Sequence, residues 1–204
     1  MSPLFLIHGG LWEDMDAERF WRKPGIVAGL DREGFVVVAP DRVRTATSWH
    51  SEAEHLAAAL PDRSVVVIAG SNGCAAAIRL VLARPDRVAR LVLAWPATAG
   101  DAGVDARIRK GMAALGASPD VVDAMLNGET LRGVTDDELR AIAMPVGVLP
   151  SVPENPYHQR RTIDALLRTL PHAVELPGCP EPPRPDFPDH AEQFIGTIAS
   201  FARP

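Results

Sequence analysis

The chain has 204 residues, of which 47% are hydrophobic, and its formal net charge is −5. This length is sufficient for one domain with a full hydrophobic core. The negative charge gives no support for nucleic acid as a partner, and no apolar run approaches the ~20 residues needed to span a bilayer.

Strands and helices alternate along most of the chain, which predicts an α/β protein with a mostly parallel, doubly wound sheet of about six strands. The strands are expected near residues 3–8, 35–39, 64–69, 90–95, 145–150 and 172–177. The flanking helices are expected near residues 24–32, 50–60, 72–83, 159–170 and 188–202. The first strand runs into a glycine turn, His8-Gly9-Gly10, whose backbone N–H groups can face a neighbouring site.

Ser71 follows the third predicted strand and is the most informative residue of the chain. A β-branched run ends at Ala69 and Gly70, and an alanine-rich helix begins near Gly73. Small residues on both sides of a serine permit the sharp strand–turn–helix in which the hydroxyl is exposed as a nucleophile. We therefore predict that Ser71 is a nucleophile; the alternative is an ordinary serine in a turn between a strand and a helix.

Residues 97–143 interrupt the alternation of strands and helices. The sequence predicts short helices at Val104–Leu115 and Pro119–Leu126, and a third segment, Thr135–Ile142, that leads into the next strand. We expect a single domain, residues 1–204, in which 97–143 is a small helical insertion.

The cysteine content and the N-terminal run bear on the cellular compartment. Cys74 and Cys179 are too few for a disulfide framework. Leu4–Ile7 is too short for the apolar core of a signal peptide, and no basic residue precedes it. These features favour a cytoplasmic protein.

Four segments occur in the order that is usual in the α/β-hydrolase family, and the chain resembles that family from about residue 3 to its C-terminus. They are Ile7–Gly10, Val36–Asp41, the Ser71 turn and Arg84–Ala94. The resemblance implies an α/β-hydrolase fold with a trimmed N-terminus, since the family usually has two further strands before the His-Gly strand. It also implies that the helical insertion is a small cap over the active site.

The resemblance further implies an oxyanion hole formed by two backbone N–H groups. One belongs to Asn72, the residue after the nucleophile, and the other to Gly10, which follows the His-Gly strand. His8 in this motif is more often structural than catalytic, and we expect a structural role here.

The acid of the implied triad lies in the loop that follows the strand near residues 145–150. In the family the acid comes about four residues into this loop, where the chain has Glu154. A glutamate can orient a histidine as an aspartate does. Asp101, after the strand that ends near Trp95, is an alternative acid.

The histidine is the least clear member of the triad. The family has it in the loop after the last strand, but alignment from the left places Glu181 there, and alignment from the right places Arg184. We expect His190, at the start of the last helix, to be the base, because it preserves the family order of serine, acid and histidine. His158 and His172 are alternatives, as is a site without a base.

The resemblance implies a serine hydrolase that acts on a small apolar ester, lactone or thioester through an acyl-enzyme. Tryptophans after strand ends and methionines in the predicted cap are candidates for the pocket wall. We expect substrate contacts from Trp12, Trp95, Met112 and Met125.

Two other functions remain open: a binding protein, and a lyase or isomerase with a degenerate triad. The histidines after residue 150 lack metal-ligand spacing, and Ala69–Gly73 lacks the lysine of a P-loop and the glycine spacing of a dinucleotide site. We therefore expect no cofactor and no metal. The expected partner is a small-molecule substrate, without nucleic acid or membrane, and a homodimer is a further expectation.

Overall fold

A six-stranded sheet forms the centre of the protein in this computed structural model, which describes residues 2–182 and 184–203. Its strands are β1 (Leu4–Ile7), β2 (Val37–Val38), β3 (Val65–Gly70), β4 (Val88–Ala94), β5 (Val146–Leu149) and β6 (Ala173–Glu175). Their order is β2-β1-β3-β4-β5-β6, and each neighbouring pair is parallel. The predicted α/β fold with about six parallel strands is confirmed.

Burial explains the sequences of the strands. The central strands are covered on both faces, so β1 and β3 are apolar throughout and every one of their residues is buried. The edge strands β2 and β6 are shorter and only partly covered. Because all strands are parallel, the loops that follow β1, β3, β5 and β6 meet at the carboxyl-terminal end of the strands, where ligands bind in open α/β sheets.

Helices cover both faces of the sheet. They are α1 (Ile26–Arg32), α2 (Trp49–Ala58), α3 (Gly73–Ala83), α4 (Ala102–Ala114), α5 (Pro119–Leu126), α6 (Asp136–Arg140), α7 (Arg160–Thr169) and α8 (Ala191–Ala202). One apolar core joins α1 and α8 to the sheet, and a second joins α2, α3 and α7 to the opposite face. Among the described residues, no helix is long and apolar enough to cross a membrane.

The insertion between β4 and β5 contains α4 and α5, close to the predicted helices, and α6 in the third segment. Ser118 and Thr135 begin α5 and α6 with side-chain caps, and Glu138 completes a capping box with Thr135. Val122, Met125 and neighbouring apolar residues attach the insertion to the core that contains α2 and α3. The chain therefore folds this segment onto the same body as the sheet.

A turn of π-helix at Glu18–Arg22 was not predicted from the sequence. It buries Phe20 and Trp21, whose rings meet edge to face at 4.6 Å between centroids. Phe20 also approaches Gly70, where a Cβ atom would come within 2.6 Å of its ring. The turn thus packs directly beneath the end of β3, which carries Ser71.

Candidate active site

Ser71 lies in a strained turn between β3 and α3. Its φ angle is 54°, which is rare for a residue with a side chain, and its N–H donates to the carbonyl of Ala94 at 3.0 Å. Gly73 lets the turn pass against the end of β1, because a Cβ atom there would lie 2.5 Å from the carbonyl oxygen of His8. This is the backbone pose in which a serine hydroxyl is held out from the sheet edge.

His158 contacts the Ser71 hydroxyl. Its Nε2 atom lies 3.0 Å from Ser71 Oγ, within hydrogen-bond reach. His158 belongs to the loop between β5 and α7, and its own N–H donates to the carbonyl of Asn155 at 3.0 Å. With the ring proton on Nδ1, the serine hydroxyl donates to Nε2, which is the arrangement of a nucleophile with its general base.

Glu181 lies on the other side of the His158 ring. Its Oε1 atom is 3.4 Å from Nδ1, and its Oε2 atom accepts a hydrogen bond from the Ser151 hydroxyl at 2.9 Å. Burial opposes the negative charge of Glu181, but the contact with His158 and the Ser151 hydrogen bond outweigh it, so the pKa of the carboxyl is lowered. Glu181 is therefore held ionised where it can orient the imidazole.

Asn155 completes the connection between these groups. Its Nδ2 atom donates to Glu181 Oε1 at 3.1 Å and lies 3.2 Å from Nδ1 of His158. Its Oδ1 atom accepts from the N–H of Tyr157 at 3.0 Å, which fixes the amide orientation. Sequence reasoning did not single out Asn155 or Ser151; their only signal was their place in the loop expected to hold the acid.

The structure does not bring His190 to Ser71. His190 ends a short 3₁₀ turn, Phe187–His190, and occupies the N-cap position of α8. Its backbone is fixed by the helix, whereas Glu181 lies on the preceding loop and reaches the site. His172 immediately precedes β6 and is exposed, at the opposite edge of the sheet from the loops that carry Ser71 and His158. The expected contact of His190 with the nucleophile is therefore corrected to one of His158.

The structure also places the expected acids elsewhere. Glu154 lies in an exposed part of the loop, where Oε2 accepts from the N–H of Arg160 at 2.7 Å. Asp101 caps α4 by accepting from the N–H groups of Gly103 and Val104. Both carboxylates accept hydrogen bonds from backbone N–H groups at the first turn of a helix. Neither is in the position of Glu181 beside the imidazole.

The two predicted oxyanion donors lie beside Ser71. Gly10 and Asn72 line the same cavity as the serine. Gly10 has a φ of +88°, and a Cβ atom there would come within 2.7 Å of Met15 Cβ, so the turn requires glycine. Asn72 precedes α3, where the helix dipole favours negative charge. Their role as an oxyanion hole stays a prediction that this placement favours.

His8 is buried behind this turn as a neutral imidazole. Its Nδ1 atom lies 2.7 Å from the carbonyl of Gly9, and Nε2 accepts the N–H of Arg42 at 2.9 Å. Burial, together with the charge of Arg42, lowers the pKa of His8 to about 4. These contacts agree with the structural role expected for this residue.

Arg132 connects Asn72 to the insertion. Its guanidinium, 2% exposed, donates to Oδ1 of Asn72 at 2.9 Å and to Oδ1 of Asp105 at 3.0 Å. Asp105 belongs to α4, and Arg132 lies in the loop between α5 and α6. Burial lowers the pKa of Arg132, although Asp105 opposes this shift. A buried cation thus joins α4 to the turn that follows the nucleophile.

A cavity of about 610 Å³ opens above Ser71 and His158. Its apolar wall comes from the loop after β1, the π-helical turn and α4, and includes Leu11, Met15, Phe20, Ile108, Met112 and Leu115. Arg107 and Arg184 also line it. The space fits a small apolar group next to the nucleophile.

Of the four expected substrate contacts, only Met112 lines this cavity. Trp95 is fully buried, stacks on Phe194 at 5.0 Å between centroids and donates to the carbonyl of Cys179. Met125 is also fully buried, in the core beneath the insertion. Trp12 turns away and donates to the carbonyl of Ala46 at 2.8 Å. Placement after a strand end was therefore not sufficient to bring these side chains to the pocket.

No protein-family model matches the chain. Among curated proteins, Lipase LipV of Mycobacterium tuberculosis (strain ATCC 25618 / H37Rv) is 42% identical over 97 residues. That alignment covers 43% of this chain and 36% of LipV, so the similarity concerns little more than a third of the lipase.

Several solved structures are similar over nearly the whole chain. The meta-cleavage product hydrolase CumD from Pseudomonas fluorescens IP01, a mutant complexed with acetates, has a TM-score of 0.71 and 17% identity, with 98% of this chain and 90% of that chain covered. An extracellular α/β-hydrolase from a Paenibacillus species has a TM-score of 0.73 and 13% identity, with both chains covered completely. The esterase EaEST from Exiguobacterium antarcticum has a TM-score of 0.71 and 14% identity, covering 100% and 92%. At these identities the likeness concerns the fold.

Proposed function

Because the chain has the α/β-hydrolase fold, we propose that it is a serine hydrolase whose triad consists of Ser71, His158 and Glu181. The observation that carries the proposal is the 3.0 Å approach of His158 Nε2 to Ser71 Oγ, at the floor of an apolar cavity. The strained turn at Ser71 and the ionised Glu181 beside the imidazole support it.

In the proposed reaction, Ser71 Oγ attacks the carbonyl carbon of the substrate while its proton passes to Nε2 of His158. The carbonyl oxygen becomes an oxyanion, which accepts hydrogen bonds from the N–H groups of Asn72 and Gly10. His158 then returns the proton to the leaving alcohol or thiol, and an acyl-enzyme remains. Water activated by His158 attacks this ester and regenerates Ser71. Glu181 remains ionised throughout and stabilises the imidazolium.

We propose a small apolar ester, lactone or thioester as the substrate. The cavity wall of Leu11, Phe20, Ile108 and Met112 suits an apolar acyl group, and the similar proteins are named as an esterase, a lipase and a meta-cleavage product hydrolase. A binding protein, or a lyase or isomerase that lacks acyl transfer, is the competing function. It predicts no covalent intermediate at Ser71.

A fluorophosphonate probe tests the proposal, because it reacts with a serine only where a base and an oxyanion hole activate it. We expect labelling of the parent at Ser71, none of Ser71→Ala, and full labelling of Ser200→Ala, which changes an exposed serine of α8. Peptide mapping by mass spectrometry identifies the labelled residue. An unlabelled parent, or labelling that persists in Ser71→Ala, would contradict the proposal.

A further inference from the structure

Arg42 lies directly behind the loop that carries the predicted oxyanion donor Gly10. Its Nη1 atom donates to three successive carbonyl oxygens, those of His8 at 2.9 Å, Gly9 at 3.2 Å and Gly10 at 2.9 Å. The backbone N–H of Arg42 also donates to Nε2 of His8. Nη1 has two N–H bonds, so one of them is shared between carbonyls, and the Gly9 carbonyl also lies 2.7 Å from Nδ1 of His8. Arg42 thus contacts all three residues of the turn.

Glu52 and Trp49 fix the guanidinium from the other side. Glu52 is fully buried and accepts from Nε at 2.7 Å and from Nη2 at 2.9 Å. The ring centroid of Trp49 lies 5.9 Å from the guanidinium carbon of Arg42. Both acceptors of the carboxylate are thus used in a bidentate pair, which holds the plane of the guanidinium and aims Nη1 at the loop.

We propose that Arg42 is a positioning residue that builds the oxyanion hole, an inference that rests on the proposed serine hydrolase function. In a trans peptide unit the C=O and the following N–H point in opposite directions. Three carbonyls gathered on Nη1 therefore turn the N–H groups of Gly9, Gly10 and Leu11 away from Arg42. Gly10 and Leu11 line the cavity that contains Ser71, so this orientation serves the reacting carbonyl.

Two variants distinguish positioning of the loop by Arg42 from simple stabilisation of the fold. A buried ion pair can often be exchanged for apolar residues of similar size without loss of stability, whereas removal of one partner leaves an unpaired charge. Arg42→Met combined with Glu52→Leu removes both charges together and with them the three carbonyl hydrogen bonds. Arg42→Lys retains a charge opposite Glu52 but cannot supply a planar fork.

The test compares kcat, KM and thermal unfolding of the parent and both variants with p-nitrophenyl acetate. We expect Arg42→Met/Glu52→Leu to fold with a lower Tm than the parent, because three loop carbonyls lose their donor, to keep KM within about twofold, and to lose about 10²- to 10³-fold in kcat, as loss of an oxyanion donor does. Arg42→Lys should recover part of the lost kcat. The matched control, Arg203→Met/Glu33→Leu, removes an ion pair between the end of α8 and the end of α1 and should leave kcat unchanged.

A crystal structure of the double variant shows the orientation of the loop peptides independently of any activity measurement. We expect the Gly9–Gly10 peptide, whose carbonyl His8 also holds, or the Gly10–Leu11 peptide to rotate so that its N–H leaves the cavity. A folded double variant with parental kcat and an unchanged peptide would overturn the inference. If the double variant does not fold, a parental kcat in Arg42→Lys would overturn it instead. A parent that lacks Ser71-dependent activity overturns the proposed function instead, while the crystal structure still decides the role of Arg42.

Discussion

Glu181 Oε1 lies 3.4 Å from Nδ1 of His158, and the two residues follow β6 and β5 respectively. The family resemblance implies the opposite distribution, with the acid after the strand corresponding to β5 and the histidine after the last strand. The loops after these adjacent parallel strands are neighbours, bridged by the pairing of Ser151 with Cys179. Acid and base can therefore exchange loops while the carboxylate–imidazole pair keeps its place beside Ser71.

Replacement of His158 should separate the two candidate bases. We expect His158→Ala to lower kcat for p-nitrophenyl acetate by about 10³-fold or more, since the serine then has no proton acceptor. His190→Ala should leave kcat within about twofold, because His190 lies at the N-cap of α8 whereas His158 makes the hydrogen bond to Ser71 Oγ. Steady-state kinetics with circular dichroism as a check of folding decides this. Parental activity in His158→Ala would refute the proposed base.

The acid can be identified with two conservative substitutions. Glu181→Gln keeps the size of the side chain but removes the charge that stabilises the imidazolium, and we expect kcat to fall by about 10²- to 10⁴-fold. Glu154→Gln serves as the control, because its amide oxygen can still accept the N–H of Arg160. Equal kcat values for the two variants would show that Glu181 does not act as the acid.

His8 makes stability depend on pH. Its pKa is about 4 in the folded protein against 6.5 as the ordinary value, so between these values the unfolded chain binds the proton and the folded chain does not. The stability that the neutral His8 contributes is complete above about pH 6.5. The free energy of unfolding should decrease by about 3 kcal/mol as the pH falls to about 4. Urea unfolding at several pH values measures this decrease.

The control for this dependence is an exposed histidine. His8→Gln should flatten the pH dependence between pH 6.5 and 4, whereas His50→Gln, whose side chain is 78% exposed, should not. A parental slope in His8→Gln would assign the dependence to other groups.

The insertion should limit the size of the acyl group that the site accepts. Leu115 lines the cavity and is 56% exposed, so Leu115→Trp can narrow the space above Ser71 without disturbing the core. We expect kcat/KM for p-nitrophenyl octanoate to fall by about tenfold or more relative to the acetate, with Leu115→Ala showing no such decrease. Unchanged relative rates in Leu115→Trp would argue against a role of α4 in covering the site.

Much of the fold could be predicted because its signals are local. The apolar runs at β1, β3 and β4 are each followed within two residues by glycine, serine or proline, and the alanine-rich segment after Ser71 forms α3 as expected. The expected α/β-hydrolase fold is confirmed by the structure comparisons. The π-helical turn Glu18–Arg22 escaped prediction because its stability comes from rings that pack under β3 rather than from its own sequence.

The partners of Ser71 could not be predicted in the same way. His158 and Glu181 are separated in sequence by α7 and β6, and only the pairing of β5 with β6 brings their loops together. The sequence indicates Glu181 at the position of the family histidine and His158 as an alternative base. Because the family has the acid in one loop and the histidine in the other, nothing in the sequence pairs the two. Trp95 lies in the core and not at the expected substrate pocket for a related reason. Nothing local in the sequence indicates that its ring stacks on Phe194 from the last helix.

The hydrogen bonds of Arg132 have a mechanical consequence. Helix α4 forms part of the cavity wall, and Asn72 provides a predicted oxyanion donor, yet both are bound to the same guanidinium. An outward movement of α4 must therefore either break the salt bridge between Asp105 and the buried Arg132 or move the loop of Arg132 with it. Widening of the substrate entrance and displacement of the anion-stabilising turn are thereby coupled motions.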